Sequence, residues 1–212
     1  MKILKLSDIN LKEKISSKGC YGNIWLTEDN KIVKIQSLTT SAHYNKLEDI
    51  YYDSNNNQIK KSEAIKNYYN TPFSYYFKNK QSITIDQFNN EVNNQIFMSK
   101  NHIAPKIYKY GVTKYNSNEL QYGIIIMKKM PYILKHHLFI DDMSIVIDKI
   151  NKMHNLGYYH GDLQTSNIGI DIKNGKITKC RIIDWFYSNI ISSDDNITSD
   201  FALFKERGGK IN

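Results

Sequence analysis

The sequence has only three prolines, two cysteines and ten glycines in 212 residues. Cys20 and Cys180 stand alone, with no C-x-x-C pair and no Cys/His cluster, so a structural zinc site is not expected and a reducing compartment is the simpler setting. Cys20 has the composition of an ordinary loop or core thiol. No apolar run approaches the roughly 18 residues needed to cross a bilayer, and the stretch from Met1 to Asp8 lacks the apolar core of a secretory signal. No internal repeat is visible. A soluble, cytoplasmic protein without a membrane partner is therefore the expectation.

An apolar fraction of 41% and a charged fraction of 24% are those of a folded chain with a real core. The length fits one domain or two small lobes sharing a cleft. The net charge of +8 suits nucleotide phosphates, acidic proteins or nucleic acid. Nucleic acid is the less favoured partner, because the lysines are scattered rather than gathered into one basic run. The many tyrosines, such as Tyr51, Tyr52, Tyr75 and Tyr76, are read as ordinary aromatics of a biased composition rather than as base-stacking platforms.

Periodicity and turn residues predict two strands between Ile15 and Gln36. They run over Asn23 to Thr27 and Lys31 to Gln36, joined by Glu28-Asp29-Asn30. Leu38 to Lys80 is long, polar and Asn-rich, and is expected to be a partly helical surface insertion. Phe88, Val92 and Ile96 recur at helical spacing over Ile85 to Lys100. Strands follow at Lys106 to Thr113 and Gln121 to Met130, with a turn at Asn116-Ser117-Asn118. Pro131 to Phe139 reads as a connector. A helix is predicted over Asp142 to Leu156, capped by Gly157. Then come a polar loop from His160 to Asn167, a strand at Ile168 to Ile172, an Asn174-Gly175 turn, a strand at Cys180 to Ile183, and a helix over Ile197 to Glu206.

The chemistry concentrates in His160-Gly161-Asp162-Leu163-Gln164-Thr165-Ser166-Asn167. An aspartate and an asparagine five residues apart follow a helix. The first can accept a hydroxyl proton or orient an acceptor, and the second offers an oxygen to Mg²⁺. Asp184 follows seventeen residues after Asn167, at the end of an apolar strand, where it can hold a metal across phosphate oxygens. A hairpin between them would return both residues to one edge. Upstream, Ser17-Lys18-Gly19-Cys20-Tyr21-Gly22-Asn23-Ile24 fits G-x-G-x-x-G-x-V with Ser17 for the first glycine. Such glycines let backbone N–H groups approach phosphates, although a hairpin turn would explain them equally well. Lys34 sits on the next strand, and Glu91 lies on the helix of Ile85 to Lys100 and can pair with it. Glu63, inside the insertion, is the other acidic candidate.

In this order these pieces resemble the protein kinase-like superfamily over nearly the whole chain. The resemblance implies an α+β, bilobal protein kinase-like fold, with a β-rich N-lobe over 1–130 (insertion about 38–82) and a much reduced C-lobe over 131–212. It implies ATP and Mg²⁺ or Mn²⁺ as cofactors. Ser17, Gly19 and Gly22 would line the phosphates, Lys34 would bind them and Glu91 would orient Lys34. Met127 or Ile126 would border the adenine, with Lys128 and Lys129 beginning the hinge. Asp162 is similar to the catalytic base, Asn167 and Asp184 to the metal ligands, and Asp200 to the helix aspartate that braces the catalytic loop. His-Gly-Asp-Leu-x-Thr-Ser-Asn resembles the small kinases of the KEOPS complex. Asn101 to Tyr108 and Gln121 to Met130 resemble kinase-like proteins of large DNA viruses, and the size resembles minimal bacterial effector kinases.

The sequence also departs from the family pattern. Gly161 replaces an arginine, so activation by a phosphorylated loop is not expected. Trp185-Phe186 replaces Phe-Gly. Only 28 residues follow Asp184, leaving no A-P-E motif and few C-lobe helices. The implied activity is a Ser/Thr protein kinase acting on a folded protein partner, in a host cytoplasm if the chain is viral or an effector. The alternatives are a small-molecule kinase of the aminoglycoside-phosphotransferase type and a nucleotide-binding pseudokinase that serves as an interaction module.

Overall fold

A computed structural model describes residues 2–5, 8–16, 22–38, 43–45, 50–52, 58–59, 83–115 and 120–210. The chain is α+β and divides into two units: residues 1–89 with 108–127, and residues 90–107 with 128–212.

The first unit is built on a five-stranded sheet. Its strands are β1 (Leu11–Ser16), β2 (Asn23–Thr27), β3 (Lys31–Leu38), β7 (Ile107–Tyr115) and β8 (Leu120–Lys128), in the order β1-β2-β3-β8-β7. The tight β2–β3 turn follows from its residues. Thr27 Oγ1 accepts the Lys31 N–H at 2.9 Å, and Asn30 takes the left-handed conformation (φ 59°) that asparagine tolerates best among residues with a side chain. Val33, Ile35, Tyr122 and Ile124 close over Leu4 to form the core. Gly123 is dictated by packing, since a Cβ there would lie 2.5 Å from the Phe88 ring.

Strand β1 is an addition to the two strands expected here. Leu11-Lys12-Glu13-Lys14-Ile15-Ser16 is largely charged, and its pairing with β2 carries two register irregularities, so no clean alternation reveals it. Charged edge strands of this kind resist pairing with other chains. Within the expected insertion, the described pieces are short antiparallel strands: β4 (His43–Asn45), β5 (Ile50–Tyr52) and β6 (Gln58–Ile59). The rest of the insertion, with Glu63, and the Asn116 to Asn118 turn lie outside the described residues.

Helix α1 (Ile85–Lys100) has the predicted limits and contributes residues to both units. Its start is set by a reciprocal pair that the sequence reading passed over. Gln87 N–H donates to Thr84 Oγ1 at 3.2 Å, and Gln87 Oε1 accepts the Thr84 N–H at 2.9 Å.

In the second unit, helix α2 (Ser144–Asn155) buries Val146, Ile150 and Met153 along one stripe. It begins two residues later than predicted, because the Asp142 carboxylate takes the Ser144 N–H (3.0 Å) and hydroxyl (2.7 Å) in a local turn. Gly157, at φ +80°, ends it. The Pro131 to Phe139 connector is more regular than expected. It contains β9 (Tyr132–Ile133), which joins β11 (Ile168–Lys173) and β12 (Lys176–Ile182) in a sheet of order β12-β11-β9. Asn174 and Gly175, at φ 52° and 74°, make the β11–β12 turn. Strands β10 (Tyr158–Tyr159) and β13 (Asn189–Ile190) pair with each other. Helix α3 (Asp194–Glu206) starts three residues before the expected Ile197, because the Asn196 side chain caps the N–H groups of Ser192 (3.0 Å) and Ser193 (3.3 Å). No helix among the described residues is long and apolar enough to cross a membrane.

Candidate active site

The loop between β10 and β11 is held from inside by His160, which is fully buried. Its Nε2 faces the Ile183 carbonyl oxygen at 3.0 Å, and its Nδ1 lies 3.3 Å from the Asp162 N–H. A carbonyl only accepts and an amide N–H only donates, so this pair of neighbours selects the neutral ring with its proton on Nε2. The ring therefore ties the loop to the residue before Asp184.

Asp162 is half-buried, with a fully defined set of donors. Gln164 Nε2 reaches Oδ1 at 3.0 Å and Oδ2 at 3.1 Å, and Asn167 Nδ2 reaches Oδ2 at 2.9 Å. Asn167 Nδ2 also donates to the Asp162 backbone carbonyl at 2.9 Å. Both partners of that amide are acceptors, so its NH₂ must face Asp162 and its Oδ1 must point elsewhere. The Asn167 carbonyl takes the Ile183 N–H at 2.9 Å, and Ile168 pairs with Ile182 across the hairpin. The β11–β12 hairpin thus returns the chain so that Asn167 and Asp184 leave adjacent strand ends.

Asp184 has φ 65° and ψ 68°, a left-handed conformation that a residue with a side chain adopts at a cost of order 1 kcal/mol. Around it, Trp185 is fully buried and donates from Nε1 to the Ile182 carbonyl at 2.9 Å. Its ring meets the His160 ring edge-on at 5.1 Å.

Asp200 has no exposure to solvent, and its carboxylate accepts the N–H of His160 on Oδ2 (2.8 Å) and of Gly161 on Oδ1 (2.9 Å). His154 Nε2 is a third donor, 3.0 Å from Oδ2. Asp200 therefore braces the loop through its backbone. The early start of α3 places it in the helix interior, so it is not the first-turn acid that a start at Ile197 would have made it. His154, on α2, was missed by sequence reasoning. So was Gln164, whose place in the loop carries no distinguishing signal.

Gly161 stands at φ +75°, and a Cβ there would lie 2.8 Å from the Tyr187 carbonyl oxygen. That backbone approach, together with the left-handed φ, accounts for glycine at this position. Gly161→Arg is expected to destabilise the fold by about 1–3 kcal/mol, read as a lower urea midpoint. An unchanged midpoint would show that the loop relaxes freely.

In the first unit, Lys34 lies on β3 opposite Ile24 and is 6% exposed, unlike the usual solvent-facing strand lysine. Gly22 is also buried, and a Cβ there would sit 2.9 Å from the Ile35 carbonyl oxygen, so close packing by itself requires a glycine. Ser17 and Gly19 lie outside the described residues. Met127 is buried near the end of β8, and the chain passes from one unit to the other between Met127 and Lys128. Glu91, on α1 in the second unit, has no exposure at all. A buried ammonium and a buried carboxylate each require compensation.

Asn167 and Asp184 fit a hard cation. Both offer oxygen, and the Asn167 amide is already oriented with its NH₂ occupied. Among the described residues no three His, Cys, Asp or Glu side chains gather as a metal-binding group. Cys180 is buried, and burial pushes its thiol up to about 12, so it is inert; Cys20 lies outside the described residues. No protein-family model and no curated protein matches this chain.

Proposed function

We propose that this chain is an ATP-dependent phosphotransferase of bilobal, protein kinase-like fold, transferring the γ-phosphoryl of MgATP to a Ser or Thr hydroxyl of a protein. The observation that carries the reading is the hairpin that brings Asn167 beside the chain entering Asp184, while the Asn167 amide holds Asp162.

In this reading Asp162 accepts the proton of the attacking hydroxyl, or orients it, with its carboxylate held at both oxygens by amide donors. Asn167 and Asp184 hold the cation, which when bound neutralises phosphate charge. Lys34 binds the phosphates and Glu91 orients it, roles that rest on their places in the sequence motif. Asp200 and His160 act indirectly by holding the loop's backbone in place.

The test incubates the purified chain with γ-labelled ATP and Mg²⁺, with and without cell extract. Labelled protein bands are the expected outcome. Label confined to small molecules would move the reading to a small-molecule kinase, and nucleotide binding without any transfer would leave a pseudokinase.

A further inference from the structure

Asp184 keeps its left-handed backbone although no glycine follows it to absorb the turn. The next residues form a single helical turn over Trp185–Tyr187, and the hydrogen bonds that close it run in one direction. Trp185 Nε1 donates back to the Ile182 carbonyl at 2.9 Å, across Asp184. Ser188 Oγ donates its one proton to the Trp185 carbonyl at 2.6 Å. That hydroxyl can then only accept from its other neighbour, Asn94 Nδ2 at 2.9 Å. The same Nδ2 donates to the Ser188 carbonyl, also at 2.9 Å. Ser188 is 5% exposed, and Asn94 lies on α1, 94 residues away in the chain.

We propose that Asn94 is a positioning residue whose carboxamide fixes the segment carrying Asp184, doing with one neutral amide what a phosphorylated loop does by charge. The inference rests on reading Asp184 as a metal ligand. Every proton in the relay is assigned, from Asn94 to Ser188 to Trp185, so its direction cannot reverse. An aspartate at 94 would turn lone pairs toward the Ser188 carbonyl and break the relay without changing side-chain size. The enzyme is then competent as synthesised. Ser188 is too buried to serve as an accessible modification site.

The experiment compares wild type with Asn94→Asp and Ser188→Ala in three measurements. These are hydrogen exchange of the amides from Ile183 to Ser188, the urea midpoint, and Mn²⁺ binding in the presence of a non-hydrolysable ATP analogue. Asn94→Asp is expected to speed exchange in this segment and to weaken Mn²⁺ binding, each by about tenfold, the worth of one or two ordinary hydrogen bonds. The urea midpoint is expected to fall by no more than those one or two hydrogen bonds are worth, and exchange in α2 to quicken by no more than that fall accounts for. Ser188→Ala, which keeps the bonds made by the Ser188 backbone but removes the hydroxyl link to Trp185, is expected to move both readouts in the same direction by less. Wild-type exchange from Ile183 to Ser188 in both variants would overturn the proposal. Faster exchange in a protein whose wild type binds no Mn²⁺ with nucleotide would uphold the clamp and sink the metal-ligand reading of Asp184.

Discussion

Asp184→Asn is expected to abolish phosphoryl transfer with the fold intact. Asparagine is the better probe than alanine here, because it tolerates the left-handed backbone at this position (φ 65°) and keeps the side chain's shape. What it removes is the charge that would hold the cation. A loss of at least about a thousandfold in turnover is anticipated, together with weaker MgATP binding, since charge neutralisation is the main work of such a site. Lys34→Met removes the buried cation on β3 and is expected to lower turnover by about two to three orders of magnitude. Turnover with labelled ATP, nucleotide titration calorimetry and circular dichroism check both variants. Near-wild-type transfer in the two would remove these residues from the site.

Asp200→Ala is expected to have the largest effect on stability. The carboxylate is fully buried and takes three donors, from His160, Gly161 and His154. Alanine would leave the buried His160 N–H and His154 without their acceptor. The loss is about 3–5 kcal/mol, the range for removing one partner of a buried charged network. Asp200→Asn keeps one acceptor oxygen but turns an NH₂ toward donors, so it should lose an intermediate amount. Urea denaturation followed by tryptophan fluorescence measures both, and Trp185 reports directly because its ring packs on His160. A change below about 1 kcal/mol for the alanine variant would mean that the loop is held by other means.

Where an element has strong local signals, the sequence predicted it closely. Helix α1 is announced by Phe88, Val92 and Ile96 at helical spacing, and β2 matches its expected limits residue for residue. The shifts at α2 and α3 come from side chains that compete for terminal N–H groups, Asp142 at one and Asn196 at the other. Such caps move a boundary without altering the apolar stripe that reveals the helix. Strand β1 escaped notice because a charged edge strand has little apolar pattern to read.

The same division runs through the candidate site. Asp162, Asn167 and Asp184 were legible because their spacing fits one loop and one hairpin, and the Asn174-Gly175 turn makes that hairpin by local backbone preference alone. The groups that hold their segments in place leave no local pattern in the sequence. Asp200 meets the loop across 40 residues of chain and was named as its brace only through the family resemblance, whereas nothing local marks Asn94, which meets Ser188 across 94 residues, for that partner. Burial is likewise a collective result. The burial of Lys34 shows only in the folded chain, and His160 shows its tautomer only once a carbonyl and an amide N–H have been packed against its two nitrogens. Residue types and short spacings therefore declare which chemistry is on offer. Which groups are desolvated, and which donor faces which acceptor, is settled by packing between distant segments, because hydrogen bonds and dehydration depend on proximity in space rather than along the chain.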